Sequence, residues 1–171
     1  MCNHLLRRLV CFKRDERGVQ LVEFAIVLPI VIMLFAAAGE FGRYFYEYST
    51  LAKGSRVAAR YLTTADSHGN DDPCAKNLVV YGNLGGTGSP ILTGLTPDNV
   101  QITRRNSAGG VITGGGIPYS VTVDIINYTH TSVLDLARMT NSSSTLAIDV
   151  KPSVTMHYLL TQPPIATAPC F

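Results

Sequence analysis

The sequence predicts an α+β protein, with a long N-terminal membrane-spanning helix followed by a small extracytoplasmic domain holding a short helix and an antiparallel β-sheet. Two observations carry this. Residues 24–39 run for 16 positions without a charge. Beyond Gly82 the apolar residues change from spacings of three and four to alternation with period two. The predicted organisation is a cytoplasmic basic leader at 1–18, a membrane-spanning and extended helix at 19–64, and an extracytoplasmic domain at 65–171.

The leader holds Arg7, Arg8, Lys13, Arg14 and Arg17 against Asp15 and Glu16, so five cations over two carboxylates leave it at +3. The whole chain of 171 residues carries +2, so the remainder sums to −1. The basic residues therefore flank an apolar span, as the positive-inside pattern requires. They form no aromatic-interleaved face for nucleic acid, and no nucleic-acid partner is expected.

Residues 21–41 would extend about 31 Å as a helix, enough to cross a hydrocarbon core of ~30 Å, with Glu23 and Glu40 near its rims. Pro29 lies inside it. In a soluble helix proline costs about 3 kcal/mol, but neighbours in a bilayer re-satisfy the freed carbonyl, so a kink is expected and not a break. Next come Tyr44, Phe45, Tyr46 and Tyr48, suited to the headgroup level or to packing on the downstream domain. Leu51, Val57, Ala58, Tyr61 and Leu62 continue the helical spacing to about Thr64. Residues 66–71 are turn-forming.

Asp72-Pro73 reads as an N-cap followed by proline in the first turn, and Gly82 as a helix stop, which predicts a second helix over 73–81. Val100 and Ile102 then alternate with polar residues, as do Tyr119, Val121, Val123 and Ile125. Leu146, Ile148 and Val150 share a face with Val154, Met156, Tyr158 and Leu160, interrupted by Pro152, so the segment is an edge strand or two strands. Residues 106–116 and 140–144 are loops by composition.

Cys2 and Cys11 precede the apolar run and would be reduced in the cytoplasm, whereas Cys74 and Cys170 follow it into an oxidising compartment. We therefore pair Cys74 with Cys170; the alternative is two free buried thiols.

No catalytic constellation emerges. Gly85-Gly86-Thr87-Gly88 lacks the following Lys-Ser/Thr of a phosphate cradle. His4, His68, His130 and His157 are not spaced as metal ligands, and Asp124, Asp135 and Asp149 read as polar residues on a solvated sheet face. Neither a cofactor nor a metal is expected. What remains is residues 18–24, where a carboxylate enters the membrane. Such a group costs ~2.5 to 3.5 kcal/mol at the helix centre and less near the rim, so Glu23 calls for a partner. Cutting after Gly18 would supply one, because Val19 would gain an α-amino group with an ordinary pKa near 8. The plain alternative is that Glu23 snorkels to the interface.

Arg17-Gly18, Val22-Glu23-Phe24-Ala25, Leu28-Pro29 and Gly39-Glu40-Phe41-Gly42-Arg43 together resemble the TadE-like minor pilins (pseudopilins) of the Flp/Tad type IV pilus system. Residues 52–60 look like the continuation of that pattern, although an acidic residue is more usual where Lys53 or Gly54 stands. The likeness is strong from about 17 to 62. It implies a pilin-like α+β chain that is not an enzyme, cut by prepilin peptidase between Gly18 and Val19, with Glu23 and the adjoining Phe24 serving assembly. The implied partners are other pilins and pseudopilins, an inner-membrane assembly platform and the lipid bilayer. The implied location is the bacterial inner membrane, single-pass, with a cytoplasmic N-terminus and a periplasmic domain, ahead of incorporation into a surface pilus that supports adhesion and biofilm formation.

Two rival readings stand beside this. Ala36-Ala37-Ala38 before Gly39 satisfies the cleavage rule of a secretory signal peptide. The second is a membrane-tethered extracytoplasmic enzyme or ligand-binding domain, disfavoured by the lack of a catalytic constellation.

Overall fold

The computed structural model describes residues 16–65, 70–113, 117–132, 147–159 and 170. Residues 1–15, 66–69, 114–116, 133–146, 160–169 and 171 lie outside them. Asp135 is among those.

Helix α1 spans Glu16–Leu62 and is helical through Pro29. Its start precedes the expected boundary at 18/19. A glycine in the first turn weakens a helix by only about 1 kcal/mol, and the first N–H groups lack intrahelical partners in any case. Two compact units divide the chain at Gly42 and Arg43. The second therefore includes the last five turns of α1, where the expected domain began at 65.

In the first unit the apolar side chains Leu21, Phe24, Ile26, Ile30, Leu34 and Phe35 are all exposed. This helix is long and apolar enough to cross a membrane.

In the second unit α1 buries Leu51, Ser55, Ala58, Ala59 and Leu62, a repeat of three and four. Val57, expected on that face, is 55% exposed. The buried face is built from small residues, which lets helix α2, Asp72–Tyr81, approach closely. It contributes Cys74, Ala75, Val79 and Val80 to the core. At the closest point a Cβ added to Gly54 would lie 3.5 Å from the Val79 Cα and O. That is ordinary van der Waals contact. Gly54→Ala is thus expected to raise stability by about 0.5–1 kcal/mol, by relieving the glycine penalty within a helix. Chemical denaturation would show it as a higher midpoint.

Helix α2 ends as predicted, with Gly82 at φ 73° donating its N–H to the Leu78 carbonyl at 3.2 Å. Its start differs. Asp71 occupies the N-cap position without a side-chain cap bond, and Asp72 is the first helical residue. The Asp72 carboxylate instead accepts two hydrogen bonds from the Arg104 guanidinium, at 3.1 and 2.5 Å. Bidentate pairing with a guanidinium takes both carboxylate oxygens, which leaves Asp72 unavailable as a cap.

A 3-10 turn, Pro97–Asn99, leads into strand β1, Val100–Arg105. The other strands are β2, Ser120–Ile125, β3, Thr129–Thr131, β4, Ala147–Asp149, and β5, Ser153–His157. One antiparallel sheet has the order β1-β2-β5, and β3 pairs with β4 in a second. Val100, Val121, Val123 and Ile125 are buried, with Ile102, Val154 and Met156 packed against them, so the helices cover one face of the larger sheet. Pro152 separates β4 from β5. It has no N–H to give a ladder, and its carbonyl accepts from the Ile125 N–H at 3.1 Å. The face expected to run on through this segment is accordingly split: Val150 is buried while Ile148 is 45% exposed.

A disulfide joins Cys74 in α2 to Cys170, with the Cα atoms 5.3 Å apart. Near it in sequence, Leu159 N–H donates to the Thr63 carbonyl at 3.3 Å and the Tyr158 hydroxyl donates to the Ala65 carbonyl. These contacts hold the segment after β5 to the end of α1.

Candidate functional site at the head of the apolar helix

Gly18, Val19, Glu23, Phe24 and Pro29 all lie on α1 within the first unit. Val19 is 69% and Phe24 61% exposed, and Glu23 is exposed as well. Val19 and Glu23 are four residues apart, one turn and about 6 Å along the axis. From Phe24 the helix carries no charge until Glu40. Glu23 is thus a single carboxylate at the rim of an uncharged apolar surface. Gly18 is exposed too, and a Cβ added there would meet no atom within 4 Å.

Among the described residues this arrangement shows no acid–base pair and no nucleophile. It offers an exposed glycine in the first turn, a carboxylate about one turn further on, and an apolar helix that must be covered by lipid or by other helices.

The other sequence candidates disperse. Asp124 sits on β2 and Asp149 on β4, in different sheets. The Asp149 carboxyl is held below the usual range, first by its hydrogen bond from Lys151 and then by that cation's charge. His157 sets its ring edge-on to Tyr119 at 4.8 Å. Among the described residues, no group of three or more His, Cys, Asp or Glu could hold a metal ion.

One polar cluster escaped sequence reading. His130, 3% exposed on β3, makes a 2.8 Å contact from Nδ1 to Glu47 Oε2 on α1. Tyr44 lies edge-on to the same imidazole at 5.8 Å. Burial, and then the Glu47 charge, push the nearby Tyr128 phenol above its ordinary pKa. Of the aromatic run at 44–48, one ring takes the expected packing role. Tyr44 packs against the core, whereas Phe45, Tyr46 and Tyr48 remain exposed. The cluster joins helix to sheet and is structural: each buried polar group in it has a partner.

Against known families, residues 18–60 match the model of TadE-like proteins. This segment is TadE-like. The match takes in Gly18, Val19, Glu23, Phe24 and Pro29 and runs through α1 almost to its end. No curated protein and no solved structure matches the chain. The likeness rests on this segment alone, and the domain that follows it is described by its own fold.

Proposed function

We propose that the chain is a minor pilin or pseudopilin of the Tad pilus system, not an enzyme, acting in type IV pilus biogenesis and through it in adhesion and biofilm formation. Prepilin peptidase cuts it between Gly18 and Val19. Its apolar helix holds it in the bacterial inner membrane, N-terminus cytoplasmic and domain periplasmic, until the assembly platform packs it with other pilins into the filament. The observation that carries the reading is the lone Glu23 at the rim of the uncharged helix, one turn beyond Gly18, inside a TadE-like segment.

The physical content is a switch. While Val19 is in peptide linkage, Glu23 has no α-ammonium to meet. Cleavage creates a cation at neutral pH, and in a stagger of parallel helices the cation of one subunit reaches the Glu23 of its neighbour. Cleavage also moves Glu23 to the fifth residue of the helix, near a positive macrodipole end that favours a carboxylate. Phe24 and the apolar side chains beyond it cover one another as the helices pack. The reading is tested by isolating sheared pili and membranes separately. The chain should appear in the pilus fraction together with other pilins; accumulation in membranes alone, in a strain that makes pili, contradicts it.

A further inference from the structure

The outer face of the β1-β2-β5 sheet presents an ordered polar surface. Ile102, Val123, Val154 and Met156 turn toward the core, so the residues between them turn away. The register puts Thr103, Thr122 and Thr155 side by side as one rung across the sheet. The hydroxyls of Thr122 and Thr155 are hydrogen-bonded at 2.8 Å. At one end of this rung Asp124 stands opposite Gln101, and at the other end Arg105 and His157 flank Ser120, which is buried between them. The Arg105 guanidinium is held by one hydrogen bond to the Gly109 carbonyl at 3.0 Å and has no carboxylate partner among the described residues. Tyr119, 55% exposed, lies against His157 at this same end.

We propose that this face binds an acidic oligosaccharide, with a uronate carboxylate on Arg105, a sugar ring against Tyr119, and sugar hydroxyls on the threonine rung and on Asp124. Each part of the surface selects for that chemistry. Threonine hydroxyls both donate and accept, as sugar hydroxyls do, and an exposed aromatic ring offers an apolar body beside a polar tip against which a sugar ring can lie. Asp124 repels a second anion but accepts from a hydroxyl, so the ligand must be anionic at one end and neutral at the other. From Arg105 to Gln101 the face runs about 14 Å, and it is about 10 Å across its three strands. That area, on the order of 150 Å², is far below the roughly 800 Å² per partner of a stable protein interface. One arginine balanced by one aspartate is likewise too little charge for a phosphate backbone, which takes several cations.

The proposal is independent of cleavage at Gly18 and of filament assembly. It is tested on the full chain in detergent micelles, titrated with short oligogalacturonate, with a neutral galactose oligosaccharide and with polyglutamate. Oligogalacturonate should bind saturably and about tenfold more tightly than either of the others, the margin of one charge-assisted hydrogen bond. Arg105→Gln should abolish that margin over the neutral sugar. Thr122→Val, which preserves shape, and Tyr119→Ala should each weaken binding severalfold with an unchanged thermal midpoint. Absence of saturable binding, equal binding of polyglutamate, or full affinity in Arg105→Gln would overturn it.

Discussion

Glu23→Ala is expected to leave the chain in the membrane and cut normally, yet to deplete it from assembled pili by about 30-fold or more. Opposite charges 4 Å apart at an effective dielectric of 20 attract by about 4 kcal/mol. Desolvation takes back part of this, and a remainder of about 2 kcal/mol corresponds to roughly 30-fold in partition between membrane and filament. Glu23→Gln should behave like alanine, because the amide keeps the shape and hydrogen bonding but not the charge. Glu23→Asp should be intermediate, its carboxylate falling short by one methylene. Quantitative immunoblots of sheared pili and membranes measure the ratio. Incorporation of Glu23→Gln at the normal level would remove the charge pair from the account, even with cleavage intact.

The second large effect concerns the bridge between Cys74 and Cys170, which are 96 residues apart. In the chain-entropy treatment, closing a loop of about that length stabilises by up to ~4.7 kcal/mol. A typical domain has only about 5–15 kcal/mol in all, so the loss is large. Cys74→Ala with Cys170→Ala should lower stability by about 3–4 kcal/mol in denaturant titration. Cys74 is fully buried in α2, so alanine is chosen over serine to avoid burying an unpaired hydroxyl. Reductant acting on the native chain should reproduce the shift without the substitution. An unchanged midpoint in both experiments would show that the bridge contributes nothing to the domain.

How much of this was legible beforehand depends on whether a feature is local. The apolar helix is readable because a membrane-length run without charge has few other uses. Gly82 is readable because a helix end needs a left-handed residue. The strands at 100–105 and 120–125 declare themselves by alternation. Partners were not readable. Asp72 looked like a cap because capping is the commonest local use of an aspartate before proline; its actual partner, Arg104, is 32 residues away. Glu47 and His130 are separated by 83 residues, and neither has a neighbour in sequence that hints at the other. Periodicity also misjudged Val57 and overlooked Ser55 and Ala59. A close helix crossing selects for small side chains over apolar ones, and hydropathy does not see size. Residues 146–160 read as an edge strand or as two strands; the fold has two, in separate sheets, because a proline supplies no N–H to carry one ladder through.

At the candidate site the residues were legible and their mutual placement adds one fact. The bond after Gly18 lies inside the helix that begins at Glu16, so a peptidase that acts on an extended strand must first unwind a turn there. A glycine at that point lowers the cost by about 1 kcal/mol relative to alanine.

The account turns on whether Val19 becomes an N-terminus. Mass-spectrometric or Edman determination of the mature chain, purified from piliated cells, answers this directly. The account predicts Val19. A mature chain beginning at Gly39, as a signal peptide would leave it, or one retaining Met1, would contradict it.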